Sequence, residues 1–335
     1  EGKNKNWLMK DGMKFYSENP NIISYFGGYN QNLLDSVNMT KIQPFLNHTK
    51  EVISNNDEVF YEYLLNCFAF ILQNPGEKTG TTIVLTGEQG TGKNVFTNVL
   101  CKILSPYSNE NDKNIDHIVG KFNATIENMK LIVCNELSSA ESNKYLNSDT
   151  LKSIITETKI DINEKGMPVR KAENVANLIF VSNNFDPIRI TKNDRRYVMM
   201  EVSDKYRGKH AYFKKLCGGF DEEFYDNLYT YFMKRDIKNF DVTDIPITKT
   251  KDEVLELTKS SYELFYERNE DKFNEGWSCN EAYQSYRFFA QNNGFANCSV
   301  TTFGKNIKNF VDRRKKAVDG ERIWHYFSKG AEEQN

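Results

Sequence analysis

The chain has 335 residues, enough for about two or three domains, and its 39% hydrophobic and 13% aromatic content supports a substantial core and excludes general disorder. A net charge of −2 supplies no global basic field, so a nucleic-acid partner requires locally concentrated cations. Six cysteines (Cys67, Cys101, Cys134, Cys217, Cys279, Cys298) without a C-x-x-C pair, beside four histidines, argue against a zinc site and a disulfide framework and fit reduced thiols in a cytosol-like compartment.

The N-terminus EGKNKNWLMKDG is polar, so no signal peptide is expected, and the missing initiator Met suggests a piece of a longer protein. No apolar run reaches the roughly 18 residues that span a bilayer, so no membrane association is expected. Residues 1–75 read as mainly helical. Val59, Phe60, Leu64, Cys67, Phe68 and Ile71 recur at helical spacing between Asp57 and Leu72, with N-cap chemistry at Asn56 and Asp57 and a stop at Asn74-Pro75-Gly76.

From about 82 to 203, short apolar runs alternate with helical patterns. Ile83–Thr86, Leu131–Cys134, Leu178–Ser182 and Tyr197–Val202 have the length and two-sided apolar character of buried strands in a helix-covered sheet. The polar stretch Lys159–Ala172, turning at Gly166, predicts a projecting β-hairpin. Residues 204–270 read as amphipathic helices rich in Tyr and Phe. Helices over Glu281–Gln291 and Thr301–Val311, then a hairpin at Asp319-Gly320 leading into Ile323–Phe327, follow the order of a winged helix-turn-helix.

Behind the first apolar run stands GEQGTGKN (Gly87, Glu88, Gln89, Gly90, Thr91, Gly92, Lys93, Asn94), a G-x-x-x-x-G-K loop between a strand and a helical pattern. Glycines let backbone N–H groups turn toward an anion, the following helix adds its N-terminal dipole, and Lys93 supplies a point charge for the outer phosphates. Asn94 stands where Ser or Thr usually ligates Mg²⁺. Asn135 and Glu136 end the strand LIVCNE, where an acid can polarise an attacking water. Asn183, or its neighbour Asn184, ends LIFVSNN, at the strand edge where ligands of open α/β sheets bind. Arg195 and Arg196 precede the next strand, and either could stabilise transition-state charge in a neighbouring subunit. Lys159, Lys165, Arg170 and Lys171 make the hairpin basic and suited to phosphate contact, although a solvated loop carries the same letters. Lys305, Lys308, Arg313, Arg314, Lys315 and Lys316 lie on or after the second terminal helix.

Taken in order, GEQGTGKN, LIVCNEL, a Lys-bearing hairpin, LIFVSNN and DRRY resemble a superfamily 3 helicase, above all the helicase part of poxvirus-type and phage primase-helicases or primase-polymerases. The resemblance is best over residues 40–205. It implies an AAA+-type phosphate-loop ATPase core with a parallel sheet at 76–205. An N-terminal helical collar would occupy 1–75, a helical extension 206–270 and a winged-helix-like module 271–335. It further implies ATP and Mg²⁺ as cofactors and a homo-oligomeric ring, commonly a hexamer, that threads single-stranded DNA 3′ to 5′ and opens forked duplexes. A primase or polymerase would be fused or associated, in the cytoplasm of a host cell.

In residue terms the resemblance makes Lys93 the phosphate-binding lysine, Glu136 the catalytic acid, Asn183 the polar sensor and Arg195 or Arg196 the finger. Lys165 matches the pore lysine, and Asn94, Asn135 and Glu136 would hold Mg²⁺, partly through water. The two amides depart from the usual hydroxyl and carboxylate and imply weaker direct metal ligation. Two other readings remain: an AAA+ machine that remodels proteins, and a nucleotide-bound DNA-binding initiator or scaffold with slow turnover. The cationic hairpin tip, lacking an aromatic, favours DNA over a protein substrate.

Overall fold

The structure is a computed structural model that describes residues 14–19, 22–112, 115–135, 149–183, 190, 194–257, 259–318 and 320–330. The chain divides into two compact units at residue 257.

The first unit is a mixed α/β structure built on a five-stranded parallel sheet. Its strands are β1 (Thr82–Thr86), β2 (Ser108–Asp112), β3 (Leu131–Asn135), β6 (Asn177–Val181) and β7 (Tyr197–Glu201), in the order β2-β3-β6-β1-β7. All neighbours run parallel, with Val84 opposite both Phe180 and Met199. Four of these strands are the apolar runs expected from the sequence. β2 was not expected: SNEND is a polar edge segment that pairs with β3 alone, so nothing in its pattern marks a strand.

Both faces of the sheet are buried, which explains the unbroken apolar runs. Ile83, Leu85, Leu131, Val133, Ile179, Val181, Val198 and Met200 share one core with α1 (Met39–His48), α2 (Glu58–Gln73), α3 (Lys93–Leu104) and α7 (Glu222–Lys234). The alternate residues Val84, Ile132, Cys134, Leu178, Phe180, Tyr197 and Met199 form a second core. Against that face pack α4 (Asp116–Val119), α5 (Asp149–Thr156) and α8 (Lys249–Leu257). Each fully buried Val, Leu, Ile or Phe contributes roughly 1.5–3 kcal/mol. The N-terminal helices therefore belong to the same core as the sheet.

Local chemistry sets the helix ends. Asp57 caps α2, its carboxylate accepting from the Phe60 amide at 2.9 Å, and Asn38 caps α1 in the same manner through Thr40. β4 (Lys159–Ile162) and β5 (Arg170–Glu173) form the expected antiparallel hairpin. Ile160 and Ile162 anchor it in the second core, while residues 164–171 are all exposed. α6 (His210–Cys217) lies between β7 and α7 in the chain.

The second unit holds α9 (Ser261–Arg268), α10 (Glu270–Glu275), α11 (Cys279–Asn292), α12 (Val300–Ile307) and a three-stranded sheet. Its strands β8 (Trp277–Ser278), β9 (Val311–Val318) and β10 (Glu321–Ser328) are ordered β8-β10-β9. Its aromatic core centres on Phe265, Tyr286, Phe303 and Tyr326. The helix expected over Thr301–Val311 ends at Ile307. Ser299, not a threonine, caps it, and Val311 already belongs to a strand. Eight cross-strand pairs from Val311↔Ser328 to Val318↔Glu321 commit this stretch to the hairpin, so Arg313–Lys316, expected on or after the helix, lie after it on β9. Among the described residues no helix is long and apolar enough to cross a membrane.

Candidate functional site

At the C-terminal end of β1 the chain turns through Gly87–Gly92 into α3, and a cavity of about 370 Å³ opens there. Gln89 to Val95 line it from the loop side, Asn135 from the end of β3, Val181 and Asn183 from the end of β6, and Phe213 from α6. Three residues picked out on separate sequence segments, Lys93, Asn135 and Asn183, are thus brought to one place. The parallel register brings this about: β3, β6 and β1 are adjacent and end together, so residues just past each strand converge.

Gly92 has φ of +101°, a conformation that side chains rarely adopt, and an added Cβ would lie 2.6 Å from His48 Cε1 and 2.8 Å from Phe213 Cε1. It is the N-cap of α3, so the helix N-terminus and its unpaired N–H groups border the cavity. Lys93, the first helical residue, is only 4% exposed. Its Nζ donates to the carbonyls of Gly87 and Glu88, the latter at 2.8 Å, and lies 3.4 Å from Thr91 Oγ1. Burial pulls the Lys93 pKa down to about 8, with Glu88 opposing the shift. A cation held on neutral carbonyls at the mouth of a helix dipole is suited to an anion. Asn94 is exposed and lines the same cavity; Asn135 is buried. Glu136 and Asn184 lie outside the described residues.

Arg195 and Arg196 are at the opposite edge of the sheet. The Arg196 carbonyl accepts from the Thr82 amide at 2.7 Å, beside the first residue of β1, one strand length from the loop. Neither arginine can reach the cavity of its own chain. They also differ: Arg196 makes a two-point contact with Asp194 at 3.1 and 2.9 Å, whereas Arg195 is exposed and forms no ion pair among the described residues. On the β4–β5 hairpin, Arg170 is tied to Glu127 at 2.5 Å and to Glu164 at 3.7 Å. Lys165 and Lys171 are exposed there without an ion pair among the described residues.

Two contributors escaped the sequence reading. His48, fully buried at the end of α1, sits 3.3 Å from the Gly92 carbonyl through Nε2 and 3.1 Å from Tyr212 OH through Nδ1. Burial lowers its pKa to about 4, so it is neutral at physiological pH. Phe213 borders the loop from 120 residues downstream of Lys93, a distance at which no spacing rule operates. The scarcity of histidine was the one available signal for His48.

Residues 85–196 match a family of unknown function, DUF5906. The chain is 30% identical over 183 residues to the DNA primase-polymerase of Nitratiruptor phage NrS-1, a stretch covering 52% of this chain and 25% of that protein. It therefore spans about a quarter of the length of the curated relative it matches, and over that stretch the two are homologous. Its fold is similar to the apo structure of the NrS-1 C-terminal region (305–718), with a TM-score of 0.68, 20% identity, and coverage of 92% of this chain and 80% of that one. An A form apo structure of the same region gives 0.66 at 20% identity and the same coverage.

Proposed function

We propose that this chain is the ATP-driven motor part of a phage-type DNA replication protein, a ring-forming helicase of superfamily 3 with an AAA+ core and a winged-helix-like terminal module. The homology to a phage DNA primase-polymerase supports the replication role. The strand order β2-β3-β6-β1-β7, with the loop on β1 and polar tips on β3 and β6, supports the ATPase reading. The observation that carries it is Lys93, held beneath a glycine-turned loop at a helix N-terminus and facing a cavity of about 370 Å³.

The donor set fits a triphosphate. Lys93 would exchange its carbonyl partners for β- and γ-phosphate oxygens, and the loop amides would take the remainder. Asn94, Asn135 and Glu136 are the residues that would hold Mg²⁺, partly through water, and the ion would supply neutralisation of phosphate charge. Glu136 would orient the water and Asn183 would hold it or the terminal phosphate. Arg195, exposed and at the far edge of the sheet, is better placed than the Asp194-bound Arg196 to reach a neighbouring subunit's site. A ring, commonly of six, then places ATP at subunit interfaces, with Lys165 on the exposed hairpin tracking single-stranded DNA and a fork ahead of it. The setting would be the cytoplasm of an infected cell, with a primase or polymerase activity linked to the motor.

ATP binding and hydrolysis, with and without single-stranded DNA, test this. Wild-type turnover should rise with DNA, and Lys93→Ala should weaken ATP binding by about 30- to 100-fold, the loss of a charged hydrogen-bonding group, and abolish turnover. Background hydrolysis that ignores both DNA and Lys93→Ala would sink the motor reading.

A further inference from the structure

We propose that one face of the β9–β10 hairpin, carrying Arg313, Lys315, Arg322 and Trp324, is a binding site for single-stranded nucleic acid.

The pairing register decides which side chains share a face. Arg313 is opposite Tyr326, Lys315 opposite Trp324, and Ala317 opposite Arg322. In an antiparallel pair, directly opposed residues point to the same side and successive residues alternate. Among the described residues one face therefore holds Val311, Arg313, Lys315, Ala317, Arg322, Trp324, Tyr326 and Ser328: three cations, an indole and no carboxylate. The acids Asp312 and Glu321 fall on the other face with Arg314, Lys316, Ile323 and Phe327. The run DRRKKAVDGER looks evenly mixed in sequence, and the pleat unmixes it.

The two faces use their cations differently. On the acid-bearing face Arg314 lies 3.5 Å from Asp312 and Lys316 donates to the Glu275 carbonyl at 2.9 Å. On the acid-free face the Arg313 guanidinium stands 4.4 Å and the Lys315 ammonium 5.3 Å from the centre of the Trp324 ring, which is still 42% exposed. The root of this face is rigid, with Val311 and Tyr326 buried in the unit's core and Tyr326 meeting Phe303 of α12 at 6.1 Å. Beyond that root the face stands exposed in its own unit.

Cations flanking an exposed ring, with acids segregated away, match what a single strand presents: a phosphate backbone for the charges and an unpaired base for the ring. A lone cation over an indole is ordinary internal packing. Three cations with no acid on one face of an otherwise mixed hairpin call for an anionic partner. A membrane surface fits less well, because the other large exposed apolar residues of the hairpin, Val318 and Ile323, lie on the acid-bearing face. An acidic protein would satisfy the cations and leave the indole without a role.

The inference shares with the proposed function the premise that the chain meets DNA, but it rests on a different unit and needs no nucleotide. The test is titration of the whole chain, without ATP, against a labelled oligo-dT strand and a blunt duplex of equal length at several salt concentrations. Trp324→Ala should weaken single-strand binding by about tenfold with an unchanged salt slope, and Trp324→Phe should restore most of the loss. Arg313→Ala, Lys315→Ala and Arg322→Ala together should lower the log–log salt slope by about 2, near 0.7 per lost contact. The opposite-face pair Arg314→Ala with Lys316→Ala should change affinity less than twofold.

Equal losses from both faces, or no loss from either, would overturn the site. So would a preference for the duplex that Trp324→Ala leaves intact, or an acidic protein displacing nothing but charge contacts. Binding that depends on Lys165 and ignores Trp324 would place the DNA contact on the other hairpin. Intact oligonucleotide binding in a chain without ATP hydrolysis would defeat the motor reading and leave this site standing.

Discussion

The buried cations of the first unit and the exposed cations of the second obey opposite rules. Lys93 and Lys130 are buried and held by backbone carbonyls, and Lys78, half-buried ahead of β1, donates from Nζ to the Ile154 carbonyl. Burial lowers all three pKa values, to about 8 for Lys93 and about 7 for Lys130 and Lys78. Arg313, Lys315 and Arg322 stand in water, on a hairpin face without acids. A buried charge suits one tightly placed ligand at fixed geometry, whereas an exposed charge acts through salt-dependent, adaptable contact. The contrast is the one expected between a site for a small anion and a surface for a polymer, the two roles proposed for these regions.

The largest expected consequence lies in stability. Lys130 is fully buried, its ammonium donating to the Asn74 and Glu77 carbonyls. Its folded pKa, about 7, is below the ordinary 10.5, so the unfolded chain binds the extra proton between those values and stability rises with pH across that window. The contribution is on the order of 4–5 kcal/mol over the window, about 1.4 kcal/mol per pH unit. Lys130→Met should remove that slope from denaturant unfolding measured from pH 7 to 10, leaving the part due to Lys78. An unchanged slope would mean that Lys130 is not charged at a cost in the fold.

His48 gives the next effect. Its folded pKa of about 4 is below the ordinary 6.5, so its penalty is absent above pH 6.5 and grows as pH falls toward 4, with Glu51 offsetting part of it. Acidification across that range should cost about 3 kcal/mol, and His48→Asn should flatten this limb of the profile.

The smallest effect concerns Lys93 as a ligand. A bound phosphate favours its protonated form, so ATP affinity should fall as pH rises above about 8, approaching tenfold per unit by pH 9.5. Calorimetry in buffers of different ionisation enthalpy should show proton uptake on binding in that range. Oligonucleotide binding through the β9–β10 hairpin should show no such fall, because no buried lysine takes part in it. A parallel decline of both affinities would erase the distinction between the two cation classes.

Much of the site could be read from the residues. GEQGTGKN behind an apolar strand marked the loop, and the amides after LIVC and LIFVS marked the neighbouring strand tips, because buried strands write continuous apolar runs and their ends must be polar. The β4–β5 hairpin was equally legible from a charged stretch around Gly166. β2 was not, since a polar edge strand is made by its partner's free hydrogen-bonding groups rather than by its own pattern. The end of α12 was misjudged because Phe310 and Val311 continue a helical spacing that the longer hairpin pairing overrides.

Sequence alone thus determined the chemistry available: a glycine-turned loop, a lysine, amide tips and two basic turns. Tertiary structure decided how that chemistry is deployed. Parallel register gathered Lys93, Asn135 and Asn183 around one cavity and sent Arg195 to the opposite edge, and folding back from distant segments set His48 and Phe213 against Gly92. The pleat of a hairpin sorted cations from acids. For the first two the physical reason is that which residues meet depends on strand register and packing between segments far apart in the chain, pairings with no local signature; for the hairpin it is the pairing register across the turn, which fixes the face on which each charge falls.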